Sequence, residues 1–423
     1  MDRIPLAIVG CGGMGHRHLF ALAELHRNDL SHFDLIGVCD PVTENAESLA
    51  SRAEEFFGKR PTVVGSMAEL EQLGVAAVDI TTTPRYHHTL GVEAIQHDWH
   101  AMIEKPVGLT VRACNRIRQA AAASNRVISV AENYRRDPIN RLAKALIDSG
   151  VIGNPRFMLH ETSGGGNQMM ISVWRHQKDQ SGVLLDVGVH FADIMEYFLG
   201  EIDSVYAQTR LYEPIRYNPV ALGAEPTSNP AGVYGKSQRA MPAEFQATAD
   251  DAVYATINFK NGAVAQYIED HAGHGQSIWN RQIHGSKGSM DMPNDRSGKH
   301  LKVTLDRTKV IDDASVLELA PADFELDKAT AVLFGGERLW NYSFPFELTD
   351  RKLIAVEYAD FALGILGERP VEVDLEQGTR SVAVSYALLE SGKAGGQLLT
   401  IDDVLQEKVN AYQLDIDEGM GLA

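Results

Sequence analysis

In the first third of the chain, short apolar runs alternate with longer stretches whose apolar positions recur every three or four residues. The runs cover residues 6–9, 34–39, 62–64, 76–82, 99–103 and 126–131. Each is too short for a stable helix and is bounded by glycine, proline or charge, which predicts buried strands. Residues 43–57, 87–97 and 111–123, with the stretch from the first glycine loop to Leu25, carry helical periodicity. Strands alternating with helices predict a doubly wound parallel sheet, an α/β domain over residues 1–135. Asp137-Pro138 and a helix over 139–148 mark the passage to a second domain, residues 136–423. There the pattern changes. Runs at 156–161, 204–212, 252–259, 263–270, 281–284 and 289–292, several joined by short turns such as Lys260-Asn261-Gly262, predict a mostly antiparallel sheet in an α+β domain. Leu184, Leu185, Val189, Ile194 and Phe198 predict one helix, and helices follow at 353–366 and 378–391. Two stretches fit no element. Residues 213–245 carry Pro214, Pro219, Pro226, Pro230 and Pro242, and residues 293–348 mix charge with little periodicity; both are expected to be long insertions outside the sheet.

Composition narrows the functional classes. The formal charge of -18 (39 basic against 57 acidic side chains) repels a phosphate backbone, so nucleic acid is not expected as a partner. No run approaches the roughly 18 apolar residues of a membrane span. The start, Met1-Asp2-Arg3-Ile4-Pro5, leads straight into a strand with no secretory core, so the cytoplasm is the expected compartment. Cys11, Cys39 and Cys114 are too scattered for a disulfide framework or a zinc site, and no metal is expected.

The candidate chemistry begins at Gly10-Cys11-Gly12-Gly13-Met14-Gly15, between a strand and a helix. Glycines at 10, 12 and 15 permit a tight turn, close approach of backbone to a pyrophosphate and close helix packing, with the phosphates at the positive helix end. The second strand ends in Asp40, placed to accept hydrogen bonds from ribose hydroxyls and to repel a 2'-phosphate, and no arginine follows it in residues 41–44. NAD is therefore expected over NADP. Thr82 and Thr83, before Pro84, end another strand on the same edge and could line the nicotinamide side or simply cap a helix. Glu104-Lys105-Pro106 ends the central strand there too. Lys105 is a candidate for chemistry at the cofactor; the same tripeptide could be a surface ion pair beside a turn. Asp186 and His190 lie four residues apart, on one face of the expected helix, where a carboxylate could orient an imidazole for proton exchange with a hydroxyl. An incidental helix pair has the same spacing.

With these pieces in order, the chain resembles the Gfo/Idh/MocA family of NAD(P)-dependent oxidoreductases over most of its length. The resemblance is carried by the glycine loop, Thr83-Pro84 with His88, Glu104-Lys105-Pro106, Trp174-Arg175, Asp186 with His190 and Asp193, residues 283–289, and closing helices with Asp360 and Gly378. It implies a Rossmann domain followed by an open sheet that often mediates oligomerisation, hence a homodimer or homotetramer. It further implies that Lys105, Asp186 and His190 meet a sugar, glycoside or polyol substrate beside the nicotinamide. Tyr134, Trp174 and Arg175 would join the substrate pocket, and Gly13, Met14, His88, Glu104 and Asn133 the cofactor site. The family also holds a dinucleotide-binding sensor and NAD-assisted glycosidases. The intact acid/base positions disfavour the sensor, and the two insertions leave the substrate open.

Overall fold

The computed structural model describes residues 3–226 and 232–423; Pro230 of the first insertion and the first two residues of the chain lie outside the described residues. The chain forms two compact units that do not follow a single cut. Residues 1–133 and 350–379, with 229–234, make the first; 134–228, 235–349 and 380–423 make the second.

The first unit is built on a six-stranded parallel sheet. Its strands are β1 (Ile4–Val9), β2 (Phe33–Cys39), β3 (Thr62–Val64), β4 (Ala77–Ile80), β5 (His100–Glu104) and β6 (Ile128–Ala131). Their order is β3-β2-β1-β4-β5-β6, so the connection direction reverses between β1 and β4. That reversal opens a crevice at the carboxyl ends of the strands, where ligands bind in such sheets. Central strands are buried on both faces, as expected of a helix-covered parallel sheet: β4 is buried throughout, and in β5 only His100 is partly exposed. Residues from late in the chain finish this unit. Val130 in β6 donates to the Val373 carbonyl, Ser129 pairs with Asp374, and Tyr358 is fully buried against Phe33.

The second unit contains a nine-stranded sheet. In spatial order its strands are Lys309–Ile311, Lys302–Leu305, Gly288–Met292, Ile278–Gly285, Pro155–Gly165, Val264–Gly273, Ala252–Phe259, Ile202–Arg210 and Leu399–Thr400. Every neighbouring pair is antiparallel except Pro155–Gly165 with Val264–Gly273.

Three expectations are corrected. The insertion at 293–348 is not wholly outside the sheet, because Lys302–Leu305 and Lys309–Ile311 form a hairpin that extends it. Its turn places Asp306 and Arg307 at φ 51° and 66°, so no glycine advertises it. The insertion at 213–245 has structure of its own: Ile215–Tyr217 pairs with Glu244–Gln246, and Gly235–Ala240 is helical. It is held by Arg216, a fully buried side chain that donates to the carbonyls of Gly166 and His271 and to the Asp251 carboxylate. Finally, the single helix expected from Leu184 to Phe198 is two, Val183–Asp186 and Gly188–Leu199, broken at Val187.

Candidate active site

At the crevice edge of the first unit each loop glycine has a distinct reason. Gly10 has φ 98° and lies against the Thr82 backbone; a Cβ on Gly15 would meet the Gly10 carbonyl oxygen at 2.2 Å. A Cβ on Gly12 would meet nothing within 4 Å, so this stretch of backbone is open to a ligand. The helix Gly13–Arg27 starts here, with first-turn N–H groups lacking intrahelical partners. Asp40 accepts from the Cys11 N–H (2.8 Å) and the Val42 N–H (2.9 Å), which ties the end of β2 to the glycine loop. A carboxylate has about four lone-pair sites, so this one retains capacity for ribose hydroxyls. Thr81 donates to the Gly10 carbonyl (2.6 Å), whereas Thr83, at the N-cap of the helix Pro84–Gln96, makes no side-chain cap bond. His88 is buried and held below the ordinary histidine pKa, chiefly by burial.

Glu104 faces inward. His18 is fully buried, with Nδ1 2.9 Å from Asp79 Oδ2 and Nε2 3.0 Å from Glu104 Oε1. Ionised carboxylates only accept, so both ring nitrogens donate and the imidazole is an imidazolium. Burial opposes that charge, but Asp79 and then Glu104 outweigh it and hold the His18 pKa well above its ordinary value. Burial would likewise raise Glu104, yet the His18 hydrogen bond and charge, followed by Lys105, lower it. Tyr358 donates to the same Asp79 oxygen. Below the next turn, His87 Nδ1 lies 2.8 Å from the Pro106 carbonyl and Nε2 3.1 Å from that of Thr82. It thus fastens the Glu-Lys-Pro loop to the threonine loop. Burial depresses the His87 pKa, and a neutral ring donates to only one of those carbonyls.

The second unit carries the acid/base candidates. Asp186 ends one short helix, and His190 lies in the first turn of the next. Arg175 Nε donates to Asp186 Oδ2 at 2.8 Å and its Nη1 to Ser172 at 3.0 Å, while its guanidinium carbon lies 4.2 Å from the Trp174 ring centroid. Arg175 is 6% and Asp186 5% exposed, so this is a buried ion pair. The His190 ring stacks on Tyr134, centroids 4.2 Å apart and planes 4° from parallel. Arg296, from the second insertion, lies 5.0 Å from the Tyr134 centroid and equally far from Phe346. Asp193 is engaged by Arg135 (2.8 Å).

Two family models cover most of the chain. That for the NAD-binding Rossmann fold of an oxidoreductase family matches residues 4–132, and that for its C-terminal alpha/beta domain matches residues 144–399. The chain belongs to the Gfo/Idh/MocA oxidoreductases. Levoglucosan dehydrogenase of Pseudarthrobacter phenanthrenivorans is 28% identical over 297 residues, 69% of this chain and 73% of that protein. The NAD-dependent scyllo-inositol 2-dehydrogenase of Bacillus subtilis is 27% identical over 211 residues, 49% of this chain and 58% of that one. Among solved structures, levoglucosan dehydrogenase with NADH and levoglucosan shares the fold: TM-score 0.73, 23% identity, 94% of this chain and 99% of that chain. As a Gfo/Idh/MocA member this protein is an oxidoreductase, and NAD is its cofactor.

The residues fit that cofactor. The open backbone at Gly12, the partly engaged Asp40 carboxylate and Asn133 Oδ1, buried with no hydrogen-bond partner among the described residues, are polar features that a dinucleotide would satisfy. NAD supplies the hydride acceptor when bound. Several residues that matter to this Gfo/Idh/MocA architecture escape a reading of its sequence. His18 and His87 have no motif spacing that reveals two carboxylates or two carbonyls at their nitrogens. Tyr134 is expected in the substrate pocket, but nothing in the sequence marks the imidazole 56 residues away on which it stacks. His18 has one signal, a histidine three positions beyond Gly15 on the face turned to the sheet.

Proposed function

We propose that the protein oxidises a secondary hydroxyl of a sugar, glycoside or cyclitol with NAD, or runs the reverse keto reduction. The observation that carries this reading is the buried acid/base group of the second unit, His190 stacked on Tyr134 with Asp186 held by Arg175, in a chain similar to sugar and inositol dehydrogenases. His190 takes the hydroxyl proton on an unprotonated ring nitrogen as the carbon loses hydride. Asp186 orients and compensates the imidazolium that forms. Lys105 stabilises negative charge developing on the substrate oxygen. Tyr134 and Trp174 line the substrate, with Arg175 placing Asp186.

The test adds a panel of sugars, inositols and glycosides with NAD and follows the reduced-nicotinamide absorbance. Stoichiometric NADH with one class supports the reading; product without net NADH makes the protein an NAD-assisted glycosidase; saturable cofactor binding with no product makes it a sensor. We propose also that it works in the cytoplasm as a homodimer or homotetramer. In support, Tyr206 (47% exposed), Phe157 (37%) and Ile278 (43%) fall on one face of the nine-stranded sheet by register. Sedimentation yielding a monomer would reject that assembly.

A further inference from the structure

Gly13 is a glycine that the dinucleotide turn does not require. The turn uses Gly10, Gly12 and Gly15, and Gly13 is the first residue of a helix, without a positive φ. Inside a helix a glycine is less favourable than alanine by about 1 kcal/mol. What occupies the place of its missing side chain is a tyrosine from the proline-rich insertion. A Cβ on Gly13 would lie 2.2 Å from Tyr234 Cε1, 2.7 Å from Cδ1 and 2.8 Å from Cζ. Such distances are impossible for real atoms, so the ring rests directly on the glycine backbone. The Tyr234 hydroxyl reaches to 4.0 Å from Met14 Sδ and helps, after Asp350, to sustain the buried Arg17 charge. One glycine away, at Gly12, the same loop is open.

We infer that Tyr234 is a cofactor-binding residue: its ring, seated on the bare face of Gly13, forms the outer wall of the pyrophosphate site and slows release of the dinucleotide. The wall is aromatic and only half-buried, so it narrows the solvent path to the phosphates while leaving the N–H groups of the first helical turn to bind them. Gly13 and Tyr234 then form one device. A side chain at 13 evicts the ring, and loss of the ring makes the glycine pointless. The inference rests on the phosphates meeting the glycine loop.

The test measures NADH affinity by fluorescence and NADH release by stopped flow, with no substrate present. Tyr234→Ala should weaken binding about 3- to 10-fold, the worth of a well-placed aromatic contact, mainly through faster release. Tyr234→Phe should stay near the parent. Gly13→Ala should reproduce the Tyr234→Ala loss, and the double variant should be no worse than the weaker single, because coupled neighbours are non-additive. Unchanged or tighter NADH binding in Tyr234→Ala would overturn the inference, as would additive losses in the double variant. Should Gly13→Ala fail to fold, the contrast of Tyr234→Ala with Tyr234→Phe decides. Asp40→Ala separates this from the underlying assignment. If it weakens NADH binding while Tyr234→Ala does not, only the role of Tyr234 falls; if neither matters, the phosphates do not meet this loop.

Discussion

Lys105 follows a glutamate whose carboxylate is already committed to His18, so the two charges of the Glu-Lys-Pro turn have separate tasks. Glu104 is 5% exposed and turned into the sheet. One of its oxygens thus has a structural partner in the first helix, next to the residue that carries the ammonium. An ammonium aimed at an oxygen gaining charge stabilises the transition state more than the ground state, and losing one such donor costs about 100- to 1000-fold in rate. Lys105→Ala should therefore bind NAD nearly as well as the parent and transfer hydride far more slowly in single turnover. Near-normal transfer would move the electrostatic role elsewhere. The proton has its own signature. Oxidation needs an acceptor for the hydroxyl proton at His190, so His190→Ala should slow single-turnover oxidation strongly while leaving NAD affinity near the parent's. Unaltered turnover in the variant would assign the base to another group. At Asp40, both oxygens accept from backbone N–H groups, so the carboxylate is fixed in place beside the glycine loop. Asp40→Ala should narrow the preference for NAD over NADP, measured as the ratio of their dissociation constants.

Among elements, the first helix, β4 and β5 are joined at one point by His18. Removing one partner of a buried ion pair costs about 3–5 kcal/mol, and His18→Gln would leave Asp79 and Glu104 as neighbouring uncompensated carboxylates. The sign of the pH dependence follows from the direction of the shift. The folded pKa of His18 is raised, so its stabilisation is complete below the ordinary value of 6.5 and is lost as pH climbs through the raised one. The gap in unfolding free energy between parent and His18→Gln should thus shrink with alkalinity above that value, by at most about 1.4 kcal/mol per pH unit. Denaturant titrations across the range test this; a gap constant with pH would mean that His18 is uncharged in the fold. Elements of this kind also show what a sequence reveals. Thr43–Phe57, Thr62–Val64 and Ala252–Phe259 were legible to the residue, since each is a clean period of 3.6 or 2 ended by glycine, proline or charge. The break at Val187 was not, because apolar spacing continues through it and only the backbone changes course. The hairpin at 302–311 was hidden by charged residues on a sheet edge, where solvent satisfies their outer faces.

For the whole molecule, the alternation of elements sufficed to separate a parallel from a mixed sheet, and the glycine loop sufficed to name the dinucleotide. The partnership of residues 350–379 with the first unit was beyond reach: it depends on Tyr358 and Val373 meeting strands more than 200 residues earlier, with no local pattern to say so. Cofactor binding should register as global stability. At NAD concentrations about 100 times its dissociation constant the gain is about 2.7 kcal/mol, visible as a shift in the denaturant midpoint, and NADP at the same concentration should produce less. Equal shifts would contradict the preference placed on Asp40.

Arginines fasten both insertions, which bears on how such a protein can be recombined. Arg216 reaches outside its own segment, to Gly166, His271 and Asp251. Arg338 grips only the carbonyls of Leu317, Pro321, Ala322 and Phe324, all within the stretch it closes. A chimaera that exchanges residues 314–338 with a relative carries this clasp with it but must keep Asp313, which caps the first turn through Ser315. Exchanging 213–245 without the matching aspartate leaves either a buried guanidinium with no counter-charge or a buried carboxylate with none. The later insertion is also anchored beyond its own ends, through Asp295 to the buried Arg281 and to Asn140 and through Tyr342 to Asp137, so each insertion is inherited together with the elements it grips.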